Sequence, residues 1–319
     1  MHPVLFTIPG LNLPIHSYGV MLGISIVFGW FLTLHFGKPY LPAPQLKKLI
    51  LISGACALIG ARLLAVFTTW HYLNWSNPLL ILIPGHTGLV AYGGFLGGFL
   101  GAYVYTRKTQ LPLLAFADAS APALALGLGI TRIGCFLYGC DYGRPILDTA
   151  PHWLKTIGVQ FPNWASRFHG NPGFSTHPAL QKGAPAFWHQ VHDGLLQSDA
   201  TLSLLVYPAQ LIASMNGFVA FALLLILRKR CVFKGQLFLL FVMYYGFTRT
   251  LIEFIRGDFG RGVLLSLTTS QWIGIGSFAA ALFFYVKLKP SVTCMNKPTA
   301  TQSEPVSKEN PFSGSCRGG

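Results

Sequence analysis

Two short segments of this chain carry residues that can do chemistry together. The first, residues 129–145, reads G-I-T-R-I-G-C-F-L-Y-G-C-D-Y-G-R-P, with an apolar span expected to end on Arg132 and a second arginine at Arg144. A guanidinium keeps its proton in a protein, so one at the edge of the hydrocarbon costs about 3 kcal/mol unless it meets an anion or a carboxylate. Gly134, Gly139 and Gly143 let the backbone bend tightly and bring N–H groups close to a ligand. Fixed positive charge beside a pliable backbone points to a lipid phosphate. The plainer role for Arg132 is to snorkel to the interface and orient its helix. The second segment weighs against that. Tyr245, Arg249, Glu253 and Arg256 are spaced by four, four and three residues, so on a helix they share one face. Charged groups on one face at a span's end should look into the bundle, away from lipid. Arg249 and Glu253 can form a buried pair that fixes packing. Alternatively, Glu253 holds Arg249 in one rotamer so that its fork faces a phosphate. Arg256 and Arg261 flank Asp258 just beyond.

Smaller constellations stand beside these. His16, Ser17 and Tyr18 open the first span, where a tyrosine commonly belongs to an interfacial belt. Tyr92 begins a glycine stripe, Gly93, Gly94, Gly97, Gly98 and Gly101, whose spacing suits close helix packing. There it either donates its hydroxyl or caps the groove. Cys135 and Cys140 are the two cysteines placed on the outer side, five residues apart. A nucleophilic thiol activated by the arginines is one reading, and small packing residues beside a glycine turn is the plainer one. No zinc ligand set is readable around them, and His189, His192 and Asp193 suit an interfacial belt with Phe187 and Trp188 better than a metal site. No metal is expected.

These groups need a membrane-embedded frame. Hydrophobic residues make up 52% of the chain and charged residues 10%, with mean hydropathy +0.51. A soluble domain carries about 25% charge, so this is an all-α integral membrane protein. Apolar runs at about 17–37, 48–69, 89–106, 111–131, 207–227, 236–255 and 269–287 each suit a helix crossing about 30 Å of hydrocarbon. Lys38, Lys47, Lys48, Arg107, Lys108, Arg228, Lys229, Arg230, Lys234, Lys287 and Lys289 lie at alternate ends of these runs. The positive-inside rule then gives seven transmembrane helices, the N-terminus periplasmic and the C-terminus cytoplasmic. The net charge of +14 forms no basic stripe with interleaved aromatics, so nucleic acid is not an expected partner. Residues 1–16 lack a positive n-region, so the first span is expected to remain in the mature protein.

Residues 141–206 are the one long loop, rich in Pro, Gly, Trp and His, and read as a periplasmic cap. Residues 1–290 are expected to form one domain, with 291–319 a disordered cytoplasmic tail.

Taken in order, the segments resemble the prolipoprotein diacylglyceryl transferase family of bacterial inner membranes. The resemblance runs through H-P-V-L from His2, I-H-S-Y-G from Ile15 and G-L-V-A-Y-G-G-F-L-G-G from Gly88. It continues at Asp118, through R-I-G-C-F from Arg132 to Gly143 and Arg144, and at Y-P-A-Q-L from Tyr207. It ends with G-Q-L-F from Gly235, Y-G-F-T-R-T-L-I-E-F-I-R-G-D from Tyr245, and S-Q at Ser270. It implies transfer of a diacylglyceryl group from phosphatidylglycerol to the lipobox cysteine of a prolipoprotein signal peptide, with glycerol phosphate as the other product. No cofactor is implied. The family's essential arginines fall on Arg132 and Arg249, its interface tyrosine on Tyr18 and its signature glycine on Gly143, while Tyr245 and Glu253 match the helix around the second arginine. Four positions depart: Tyr92 and Tyr207 where many members have His, Cys135 in place of Asn, and Cys140 in place of Glu.

The residues suit that chemistry. A peptide thiol must lose its proton to attack, and the leaving phosphate gains charge that fixed guanidiniums stabilise. Arg132 and Arg249 are expected to hold the phosphate, with Glu253 as orienter and Gly143 and Tyr245 beside the lipid. The base is open among Tyr18, Tyr92 and Asp141. A transporter or lipid-binding protein would also need inward arginines, but no paired hydropathy repeat or matched broken helices appear.

Overall fold

The computed structural model describes residues 2–8, 13–69, 90–164, 183–258 and 262–289. Arg261, the segment 70–88, part of the long loop and the 291–319 tail lie outside the described residues. Apolar runs of about 20 residues, with their backbone groups satisfied internally, become long helices. These are α1 (Ser17–Gly37), α2 (Ala43–Thr69), α3 (Ala91–Thr109), α4 (Leu113–Tyr138), α7 (Ala209–Leu227), α8 (Gln236–Glu253) and α9 (Thr269–Leu288). Among the described residues, two short helices, α5 (His152–Ile157) and α6 (Pro185–His192), lie between α4 and α7. Antiparallel hairpins β1 (Val4–Ile8)/β2 (Leu13–His16) and β3 (Val263–Leu264)/β4 (Leu267–Thr268) precede α1 and α9. Neither hairpin was expected from the hydropathy pattern.

Five of the long helices, α1, α2, α4, α7 and α9, are long and apolar enough to cross a membrane by length and composition. Glycine-rich α3, and α8 with Arg249 and Glu253 inside it, fall below that measure. One boundary corrects the expectation directly. The span predicted to stop at Arg132 continues as helix to Tyr138, and the left-handed Gly139, at φ +81°, ends it. Ile133–Tyr138 holds no proline and its single Gly134 does not interrupt the helix, and the N–H groups of Gly139 and Cys140 both return to the Cys135 carbonyl, at 2.8 and 3.2 Å. Arg132 and Cys135 are therefore helical residues on the last two turns.

The helices pack as α2 on α3, α1 on α4, α4 on α7 and α8 on α9, with α8 also touching α4 and α7. The α2–α3 contact is backbone on backbone: a Cβ on Gly60 would lie 2.9 Å from the Gly97 Cα and against the Gly93 carbonyl. Asp118 of α4 ties down the start of α8, accepting from the N–H groups of Gly235 at 2.6 Å and Phe238 at 2.9 Å. A carboxylate there meets unsatisfied N–H groups and the positive end of the helix dipole.

The described part of residues 141–206 folds on itself. Phe161, Trp164, Ala184 and Val206 are fully buried in a cluster with Tyr142 and Phe187, and Phe136 and Tyr138 of α4 pack against it. Bridges Pro145–Val206, Val159–Val206 and Pro162–Leu202 close it.

Candidate active site

The end of α4, the segment after it, the end of α8 and the start of α9 converge. Asp141 joins the first two to the third: one carboxylate oxygen pairs with Arg132 Nη1, the other with Arg256 Nη2. Arg256 also meets Asp258, donating from Nε at 2.9 Å and from Nη2 at 2.6 Å. One turn back on α8, Arg249 pairs with Glu253, as the four-residue spacing anticipated. Both are nearly sealed from solvent, at 7% and 6% exposure.

The start of α9 completes the arrangement. Thr268 donates its hydroxyl to Glu253 Oε1 at 3.1 Å and accepts the Gln271 N–H at 3.3 Å in a capping box. Arg249 Nη2 donates to the Ser270 hydroxyl at 3.2 Å. Three guanidiniums thus face three carboxylates, and every charge is met by its opposite, as buried charges require.

A cleft between α4, α7 and α8 is lined by Arg132, Asp141, Gln210, Tyr245, Arg249 and Arg256 among others. The rest of its wall is mostly apolar, with Leu128, Ala213, Ala220 and Phe241 beside Asn216. Guanidiniums at one end and mostly apolar side chains along the rest suit an amphiphile with an anionic head.

Of the residues singled out by sequence, Arg132, Tyr245 and Arg249 line the cleft, and Glu253 supports Arg249 from behind. Tyr18 sits in the first turn of α1, packed against Gly134 and within electrostatic reach of Arg132, Cys135, Cys140 and Asp141. Tyr92 lies in the first turn of α3, on the helix that packs against α2, and does not line the cleft.

Gly143 holds backbone together. It bridges to Arg256, the neighbouring Arg144 N–H bonds the Ile255 carbonyl at 2.9 Å, and Gly257 N–H bonds the Tyr142 carbonyl at 3.0 Å. A Cβ on Gly143 would run into the Tyr207 backbone, and one on Gly257 would lie 2.5 Å from the Gly143 carbonyl. Arg144 points its Nε to the Arg256 carbonyl at 3.1 Å, so it braces the clamp.

Cys135 and Cys140 are unbonded thiols. With Asp141 they bring three donor atoms within 4.8 Å of one another, a grouping that the sequence spacing did not suggest. The Asp141 carboxylate already bridges two guanidiniums, so a cation there would be set beside like charge. The Cys140 thiol is pushed well above its usual range, first by its hydrogen bond with Cys135 and then by burial, with Arg132 opposing. That goes against an arginine-activated thiolate at Cys140 and fits the plainer reading of a packing residue. Asp141 neutralises the nearby guanidiniums, and a buried thiol resists charging. In the loop, His189 Nδ1 meets the Tyr142 hydroxyl at 3.0 Å while Trp188 stacks on His192. Burial, then Asp258 and Asp193, raise the Tyr142 pKa.

Sequence alone does not single out Thr268, and it gives Ser270 and Gln210 only as letters of matched segments with no role attached. The signal for Thr268 is a polar residue at the start of an apolar span.

Relatives of known name are similar to this chain in sequence along most of its length. The sequence model of the family described as prolipoprotein diacylglyceryl transferase matches residues 3–287. A phosphatidylglycerol–prolipoprotein diacylglyceryl transferase of Clostridium tetani is 29% identical over 286 residues, covering 89% of this chain and 97% of the relative. The corresponding transferase 2 of Clostridium perfringens is 29% identical over 287 residues, covering 89% and 94%. One from Bacillus cytotoxicus is 24% identical over 278 residues, covering 86% and 87%. With a family model matched along nearly its whole length, this chain belongs to the prolipoprotein diacylglyceryl transferase family.

Proposed function

We propose that this chain transfers the diacylglyceryl group of phosphatidylglycerol to the cysteine thiol of a prolipoprotein, releasing glycerol phosphate. The observation that carries this reading is the cleft itself, with Arg132, Arg249 and Arg256 at the head of an apolar slot. The phosphodiester lies among these arginines and the acyl chains lie along the apolar wall. The acceptor sulfur forms a bond to the terminal glyceryl carbon as that carbon's bond to the phosphate oxygen breaks. The electron pair of the broken bond stays on phosphate, which becomes a monoester carrying one more negative charge. Preorganised guanidiniums in a water-poor site stabilise this charge more in the transition state than in the ground state.

Glu253, held by Thr268, fixes the Arg249 fork, and Ser270 takes a second Arg249 N–H. Tyr245 borders the phosphate from α8, and Gly143 keeps Arg256 and Asp141 in register. The thiol proton passes to a group beside Arg132, where Tyr18 and Asp141 stand. The set of long helices supports seven spans, with α3 and α8 crossing alongside the five more apolar ones. The N-terminus is periplasmic, the C-terminus is cytoplasmic, and residues 141–206 cap the site on the periplasmic side of the bacterial inner membrane.

Purified protein in phosphatidylglycerol vesicles, given a lipobox peptide, should add a diacylglyceryl mass to the peptide cysteine and release glycerol phosphate. Intact protein with no peptide modification, while a transferase from one of the named relatives modifies it under the same conditions, would sink the reading.

A further inference from the structure

Gln210 is the second residue of α7, 1% exposed, and it lines the same cleft as Arg132, Arg249 and Arg256. Its amide is oriented by a backbone group. Nε2 donates to the Cys140 carbonyl at 2.8 Å, and a carbonyl can only accept, so the amide oxygen must face the other way. That Oε1 is buried and has no hydrogen-bond partner among the described residues. A buried acceptor without a donor loses its hydration with nothing in return, and such atoms are rare in folded proteins. The other amide on the cleft wall is satisfied: Asn216 donates to the Thr248 hydroxyl at 3.0 Å and accepts from the Tyr244 hydroxyl at 2.7 Å. Gln210 Oε1 is thus an uncharged acceptor lacking its donor, on the wall of a cleft whose cations suit phosphate.

We infer that Gln210 is a specificity-determining residue whose Oε1 accepts a hydrogen bond from a hydroxyl of the donor lipid's polar glycerol. This rests on the phosphatidylglycerol reading of the cleft. Phosphate on the arginines brings the next atoms of the headgroup against the cleft walls, and glycerol supplies the O–H that Oε1 lacks. The arginines recognise any phosphodiester, so they cannot separate phosphatidylglycerol from a lipid with the same charge and no headgroup hydroxyl. A site built to bond a hydroxyl rejects the analogue without it, because the site's own acceptor is then left unpaired.

The test compares phosphatidylglycerol with phosphatidylpropanol, which keeps the phosphodiester and lacks both headgroup hydroxyls. In vesicles with a lipobox peptide, the wild type should favour phosphatidylglycerol by about tenfold or more in kcat/KM. Gln210→Met keeps the volume and removes the amide, and should bring that preference to about twofold or less. A wild type that uses both lipids equally well would overturn the inference without any variant. So would a Gln210→Met protein that loses transfer from both lipids in equal proportion, since Gln210 would then only support the turn at Cys140. Absence of transfer from phosphatidylglycerol by the wild type is a separate result, and it strikes the proposed function itself.

Discussion

The α2–α3 pair and the junction of α4 with α8 use the same device to opposite ends. In both, glycines let one backbone lie on another. Between α2 and α3 the approach at Gly60, Gly93 and Gly97 brings together apolar helix surface, with the Ser53 hydroxyl donating to the Gly98 carbonyl at 2.9 Å. At Gly143 and Gly257 it brings together two charged segments, so that Asp141 can reach Arg256 across 115 residues of sequence. Glycine at a close approach is therefore no sign of a site by itself. What distinguishes the second junction is the set of buried charges that the approach aligns.

The sharpest way to break this contrast is at the charges. Arg132→Ala or Arg249→Ala should lower transfer by about 100-fold or more, as loss of a transition-state donor does, while the protein still accumulates in the membrane. Lysine should restore only part of it, since it cannot fork onto two oxygens. Near-normal rates for either alanine variant with phosphatidylglycerol would remove that arginine from the site.

Next in size is Glu253→Gln. It leaves the buried Arg249 without its counter-ion, and breaking such a pair costs about 3–5 kcal/mol. The expected result is poor accumulation together with a transfer rate at least tenfold down in the folded fraction. Full activity with normal thermal stability would show that Ser270 and the cleft suffice to hold Arg249.

The two glycine junctions can be separated directly. Gly60→Ala should cost about 1–3 kcal/mol of stability, from overpacking, with kcat per folded molecule little changed. Gly143→Ala should lower kcat as well, because its Cβ must push Tyr207 away from the clamp. Equal effects of both substitutions on kcat would erase the distinction drawn above.

The smallest effect is expected at the cysteines. Serine at Cys135 and Cys140 should retain most of the transfer, since burial disfavours the Cys140 thiolate and serine nearly keeps the size of cysteine. Mass spectrometry of the enzyme incubated with phosphatidylglycerol alone should find no adduct. A diacylglyceryl group on either cysteine would replace direct transfer with a covalent intermediate.

Much of the frame was legible because long apolar runs leave few alternatives, and all the long helices fall close to the expected ranges. Where the reading failed, local pattern had no purchase. Arg132 looked like the end of a helix because charge ends an apolar run, yet helix continues wherever nothing opposes it, and Gly139 was the real stop. The Arg249–Glu253 pair was readable because a helix makes four residues apart into neighbours. The link between Asp141 and Arg256 was not, since no periodicity reports a contact between distant segments. The contacts of Thr268 with Glu253 and of Ser270 with Arg249 were hidden for the same reason. The hairpin before α9 turns both residues back onto α8, and a two-residue strand leaves almost no trace in hydropathy.

The self-neutralised cluster has a consequence for turnover. Bare guanidiniums around a doubly charged phosphate ester would clutch it, and the enzyme would stall on its own product. On the proposed reading of the cleft, the carboxylates of Asp141, Glu253 and Asp258, which pair with the arginines at rest, are resident competitors that would loosen their hold when a lipid enters and reclaim the arginines when chemistry is done. Entry and exit then become an exchange of anions in which no guanidinium need ever stand alone. The same carboxylates that weaken the grip on the lipid hasten departure of the spent headgroup.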